Sequence, residues 1–246
     1  EISACLVGSE MCIRDSIDTT LRNYPLNCES AEQIVRRIAD VEIDDKISFV
    51  IKKTEEIMED SEYQGVRLSL DAYLDKTRIP LKIDISTGDV ITPCEISFSY
   101  QLMFENRTIP LLAYPPETVL AEKLETILSR GEANTRLRDF YDVYILQRED
   151  FVVTPDALRY ALLATCRKRG HEDLLHTYAS ILNEVRQSGA MRAQWMKYQS
   201  DFDYAAGITW DTVLDTVETL CMKTLDDHAF GDELPQEESQ FEMHLL

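Results

Sequence analysis

The chain has 246 residues, 44% hydrophobic and 28% charged, an ordinary profile for a globular protein long enough to bury a sizeable core. No run approaches the roughly 20 apolar residues that a membrane span needs, and no basic-then-apolar leader opens the chain. A formal net charge of −20 excludes a general nucleic-acid coat, although residues 130–200 run against it with 11 Lys and Arg to 9 Asp and Glu. That segment is either a surface for a phosphate-bearing partner or an ordinary mixed helical face.

Residues 1–16 show no clear period. "CLVGSEMCIRDS" resembles an artefactual translation at the end of a gene, so 1–16 is set apart as a non-native or disordered segment. "SIDTTL" follows, short and β-branched. Asp15 and Asp18 are three apart, which on a strand points them to opposite faces; the residue two before Asp18 is Ser16. "CESAEQIVRRIAD" predicts a helix capped by Ser30, with Ile34, Val35 and Ile38 on one face. "KISFVIKKTEEIM" fits strand or helix equally. "GVRLSLDAYL" alternates Val66, Leu68 and Leu70 against Arg67, Ser69 and Asp71, a strand. "IPLKIDIS" alternates again, with Leu81, Ile83 and Ile85 opposite Lys82, Asp84 and Ser86, then a Gly88-Asp89 turn. "EISFSYQLM" and "RTIPLLAY" complete the strands.

From Pro115 the pattern is helical. Pro115-Pro116-Glu117 opens a helix that Gly131 ends, and a second runs from about Thr135 to Arg148. Thr154-Pro155-Asp156, a cap followed by proline, opens a third that ends at Gly170, and more follow around 173–187, 189–204 and 208–226. Residues 17–114 therefore read as an α/β core with at least four strands, 115–226 as a helical domain and 227–246 as an acidic tail. No internal repeat, Gly-rich phosphate loop, Gly-x-Ser-x-Gly or His-Glu-x-x-His occurs. Cys5, Cys12, Cys28, Cys94, Cys166 and Cys221 form no Cys-x-x-Cys pair and no cluster with the four histidines; they are expected to be free buried thiols in a reducing cytoplasm.

Three features resist a purely structural reading. Asp84 sits mid-strand opposite the apolar face, where it is either a solvated acid or a metal ligand. Lys123 falls inside the apolar stripe of "ETVLAEKLETIL" and either snorkels out along its stem or reaches a bound anion. In "RLRDFYDVYIL", Leu137, Phe140, Tyr141, Tyr144 and Ile145 build a core face. Arg138 and Asp142 are then a simple i,i+4 surface pair, or they belong with Arg136 and Asp139 to a charged cluster that positions a nucleotide or reacting hydroxyl.

Taken in order, "SIDTTL", "RIPLKIDIS", "YPPETVLAEKLETIL" and "RLRDFYDVYIL" resemble the motifs of the nucleotidyltransferase toxins of the abortive-infection AbiEii/AbiGii family, over about residues 16–230. The resemblance implies an α+β fold, a nucleotidyltransferase-like mixed sheet with flanking helices followed by a C-terminal helical bundle. It implies transfer of NMP from an NTP to an acceptor hydroxyl on RNA (such as a tRNA 3′ end) or protein, with Mg2+. It also implies a cytoplasmic toxin, soluble rather than membrane-bound, with a cognate antitoxin encoded nearby, in a toxin–antitoxin or phage-defence system. Carried over residue by residue, Asp18 and Asp84 would hold Mg2+, and Lys123 would contact phosphate. Asp142 would complete the catalytic set, with Arg136, Arg138 and Asp139 beside Lys123 in nucleotide binding. Two departures stand out: Ser16 occupies the place of the family's first acid, and Arg138 that of a lysine. They leave open an alternative, a truncated or degenerate member that keeps the fold and binds nucleotide or antitoxin without chemistry.

Overall fold

The expected alternation at Val66, Leu68 and Leu70 builds the centre of one sheet. In the computed structural model, which describes residues 2–4, 16–21, 24–43, 45–58, 64–102, 105–148 and 153–225, these residues are at most 3% exposed. Seven strands are described: β1 (Ile2–Ala4), β2 (Ser16–Leu21), β3 (Ile47–Met58), β4 (Gln64–Leu74), β5 (Thr77–Ser86), β6 (Ile96–Gln101) and β7 (Thr108–Ala113). They form a single mixed sheet in the order β3-β4-β5-β2-β1-β7-β6. β3, β4 and β5 are an antiparallel meander, and β2 joins β5 in parallel. The segment whose residues could equally be strand or helix is the twelve-residue edge strand β3, with a register shift between Ile51 and Lys53.

Helix α1 (Cys28–Ala39) covers one face of this sheet, burying Ala31 and Val35 against Leu21, Val66, Leu68, Leu70 and Ile85. Its cap is Asn27 rather than Ser30: the Asn27 side chain accepts from the Ser30 amide, and the Ser30 hydroxyl accepts from the Asn27 amide. Ser30 thus closes a capping box from the third helical position. Ile38, expected on the buried face, is 59% exposed, because it lies in the last turn beyond the covered part of the sheet. Within residues 1–16, set apart at the sequence level, Ile2–Ala4 pairs antiparallel with β2 and parallel with β7. Strand pairing uses main-chain groups, so side-chain pattern alone gave no sign of it.

The helical half begins directly after β7. Helix α2 (Pro116–Arg130) has proline at its first position and ends at Gly131, whose φ of 48° suits a residue without Cβ. A single helical turn over Gly131–Ala133 leads to α3 (Leu137–Leu146). There follow α4 (Pro155–Lys168), α5 (Leu174–Gln187), α6 (Gly189–Asp201) and α7 (Trp210–Leu225). Thr154 caps α4 through its hydroxyl, which accepts from the Ala157 amide at 3.2 Å. Leu120, Leu124 and Ile127 of α2 are fully buried, and each such side chain contributes roughly 1.5–3 kcal/mol of hydrophobic stabilisation. Phe140 meets Trp210 at 5.1 Å between ring centroids, and Trp195 meets Trp210 at 5.7 Å, locking α3, α6 and α7 together. On α3 the buried set is Leu137, Phe140, Tyr141, Val143 and Leu146; Tyr144 and Ile145, expected in it, are only half-buried.

Of the cysteines, Cys28, Cys94, Cys166 and Cys221 are free. Cys166 and Cys221 are buried as expected, Cys28 is half-buried, and Cys94 is exposed in the loop before β6. Cys5, Cys12, Asp15 and the acidic tail lie outside the described residues. Among the described residues, no helix is long and apolar enough to cross a membrane.

Candidate active site

Register assembles the first group of side chains. β2 and β5 are parallel, with Asp18 opposite Asp84, so both carboxylates leave neighbouring strands on one face, with backbones about 4.8 Å apart. On the other side of β5, β4 sets Arg67 opposite Asp84. One row across the sheet therefore reads Arg67, Asp84, Asp18. Arg67 grips Asp84 with a fork: Nε donates to Oδ1 at 2.7 Å and Nη2 to Oδ2 at 2.6 Å. This hydrogen bond is the main cause holding the guanidinium pKa above its ordinary value, with Glu55 and Asp18 adding to it. Asp84 is thus neither freely solvated nor buried; its side chain is 20% exposed.

One step along the same face, Thr20 and Ser86 meet the carboxylate of Asp89. Thr20 Oγ1 donates to Asp89 Oδ2 at 2.7 Å, Ser86 Oγ at 2.5 Å and the Tyr114 hydroxyl at 2.7 Å. Burial first, then the Asp89 charge, raises the Tyr114 pKa, so this phenol stays protonated. The Thr118 hydroxyl accepts from the Thr92 amide at 2.8 Å and donates to the Thr92 carbonyl at 2.9 Å. The loop after β5 is in this way fastened to Tyr114, at the end of β7, and to the first turn of α2.

The second group forms where α2 meets α3. Lys123 does not snorkel to solvent: its side chain is 12% exposed, with Nζ 2.6 Å from Asp142 Oδ2 and 3.3 Å from Asp139 Oδ1. Asp142 is 2% exposed, and Arg138 stands 3.9 Å from its other oxygen. Lys123 is therefore held between two acids, and Arg138, the i,i+4 partner of Asp142, is the more distant of that acid's two cations. Among the described residues, Asp139 Oδ2 is buried with no hydrogen-bond partner, and Asp142 Oδ2 has the ammonium beside it but off the hydrogen-bonding direction. Arg136 occupies the N-cap position of α3. Arg136, Arg138 and Asp139 open into a cavity of about 530 Å3 whose far wall, on and after α6, includes Lys197, Tyr198 and Phe202. Burial and its Tyr204 hydrogen bond raise the Tyr198 pKa, so this ring too stays neutral.

The family model for nucleotidyl transferase AbiEii toxins of Type IV toxin–antitoxin systems matches residues 17–216. The chain belongs to this family. Membership makes it a nucleotidyltransferase and implies an NTP substrate and an antitoxin partner. Two crystal structures from Helicobacter pylori overlap with it, each at a TM-score of 0.43. One, described as a candidate nucleotidyltransferase, is 13% identical over 87% of this chain and 81% of its own. The other, JHP933, is 11% identical over 91% and 82%. No curated protein sequence matches the chain. The family match, not these loose overlaps, carries the assignment.

Of the sequence-derived residues of this AbiEii-family chain, Asp18 and Asp84 meet on the sheet, and Lys123, Arg138, Asp139 and Asp142 meet between helices, with Arg136 at the cavity rim. The donor set suits a hard cation that keeps its waters: two carboxylates side by side, as Mg2+ uses when substrate phosphates supply further oxygens. Among the described residues, no group of three or more His, Cys, Asp and Glu side chains is arranged to hold a metal. The place of the absent acid, Ser16, pairs in register with Lys82. Sequence reasoning missed Arg67, Asp89, Lys197, Tyr198 and Phe202. Arg67 was visible as a charged residue on the polar face of a strand, but only register aligns it with Asp84. Asp89 was read only as part of a turn and Lys197 only as part of the basic segment, and nothing local marks Tyr198 or Phe202.

Proposed function

We propose that this protein transfers an NMP unit from an NTP to the hydroxyl of an acceptor, the hydroxyl oxygen bonding to the α-phosphorus as the α–β bond breaks and pyrophosphate leaves, with Asp18 and Asp84 as the residues that would hold Mg2+ against the triphosphate. The observation that carries the reading is their direct pairing across β2 and β5. A divalent cation bound there would neutralise the triphosphate and the charge developing on the attacking and leaving oxygens. Lys123 contributes a point charge to phosphate, exchanging its hold on Asp142 and Asp139 for the substrate. Asp142, 2.6 Å away, keeps that ammonium aimed. Arg136, Arg138 and Asp139 hold the nucleotide or the acceptor end at the cavity, where Tyr198 and Phe202 offer ring faces for a base. The acceptor that fits basic and aromatic walls is an RNA end, such as a tRNA 3′ end. Function in phage defence, in the cytoplasm and under control of a neighbouring antitoxin completes the reading.

A second reading rests on Ser16 standing beside Lys82. With only two carboxylates, the chain would keep the fold and bind nucleotide or antitoxin without turnover. Incubation with α-labelled NTP, bulk RNA and Mg2+ separates the two. Label transfer by the chain as it stands, lost in Asp84→Asn, supports the enzyme. Transfer by Ser16→Asp alone supports the non-catalytic reading of this polypeptide, and no transfer by either refutes the proposed chemistry.

A further inference from the structure

We propose that Arg67 is a counter-ion that yields Asp84 to the metal and passes to the triphosphate, so that metal and nucleotide enter the site together. The inference rests on the reading of Asp18 and Asp84 as metal ligands and adds a residue that no motif assigns.

Two carboxylates on adjacent strands repel each other, and a bare pair on one face needs a compensating cation. Arg67 supplies it. Its fork occupies both oxygens of Asp84, at 2.7 and 2.6 Å. A cation that coordinates Asp84 must take at least one of them, so guanidinium and metal compete for the same lone pairs. Metal entry turns the trio of Arg67, Asp84 and Asp18 from net negative to net positive, which favours an incoming polyanion. The displaced guanidinium then has its planar fork available, a geometry that matches two phosphate oxygens.

Its surroundings favour this exchange. The nearest acid on the far side is Glu55, opposite Arg67 on β3, and Lys53 already holds Glu55 at 2.6 Å. Arg67 is 37% exposed, so it can swing without opening the core. A second Arg–Asp pair on the same sheet provides the contrast. Asp71 is 3% exposed, lies 3.0 Å from Arg78 and 3.9 Å from Lys52, and is two strands away from β2. The Asp84 pair is partly open and sits beside a second carboxylate.

The test uses the full chain with Mn2+ as the metal probe and an α,β-methylene NTP and NMP as ligands, measured by calorimetry. Arg67→Ala is expected to bind Mn2+ alone about tenfold more tightly than wild type, because the competing cation is gone. It should also lose most of the preference for the NTP over the NMP. Arg67→Lys, which keeps charge but not the fork, should fall between the two and guards against a folding defect in the alanine variant. Unchanged or weaker Mn2+ binding in both variants, with the NTP preference intact, overturns the role of Arg67 alone. Absence of metal-dependent NTP binding in wild type overturns it together with the reading of the acids.

Discussion

Replacing Lys123 with methionine tests how the second group is held. The substitution keeps the apolar stem and removes the charge. It leaves Asp142, 2% exposed, without the ammonium 2.6 Å away. Breaking a buried pair by removing one partner costs about 3–5 kcal/mol, most of it the penalty of an uncompensated buried charge. Arg138, 3.9 Å from the other oxygen, offsets part of this, so about 3 kcal/mol is expected. For a chain of this size that is a fall in Tm of about 6–12 °C. The companion change Asp142→Asn removes the stranded charge. If desolvation is the cause, Lys123→Met/Asp142→Asn should recover about 2 kcal/mol relative to Lys123→Met alone. Urea unfolding of the wild type, both single variants and the double variant gives the coupling directly. Losses in the double variant equal to the sum of the two single losses would refute the reasoning.

Two further outcomes follow from the same structure. Asp89→Ala removes the shared acceptor of three hydroxyls, including that of Tyr114, which is 4% exposed, and should destabilise by about 1–3 kcal/mol in denaturant titration. Burial raises the Cys166 thiol to about 12, so at pH 8 it holds almost no thiolate, and peptide mapping after alkylation should find Cys94 labelled long before Cys166.

The helical half was the more legible part of the chain. Pro116, Gly131, Thr154 and Gly170 mark helix ends by backbone chemistry that does not depend on the rest of the fold, and the structure keeps each of them as a boundary. Strands β4 and β5 were equally plain from their alternation. What the sequence withheld was pairing. β3 has apolar residues on both sides of a charged centre, so its period favours neither structure, and its pairing with β4 decides the matter. The same limit explains the site. The resemblance supplied Asp18 and Asp84 as separate letters, and only the parallel register of β2 and β5 sets them side by side and brings Arg67 to the second of them. Lys123 stood out as a charge in an apolar stripe, yet its stripe position allowed two outcomes. The deciding fact, a buried acid on another helix, is not local.

The β2–β5 pairing also bears on when the candidate site comes together during synthesis. Asp18 leaves the ribosome before its partner Asp84, which arrives only after β3 and β4 have been made, and Lys123, Asp142 and the α6 wall of the cavity come later still. Contacts so distant along the chain form late, because their loop must close before they repay its entropy. A nascent or prematurely terminated chain therefore carries the acids without the lysine, or one acid without the other. The two acids, the lysine and the cavity wall therefore share one fold only after the chain through α6 has been made.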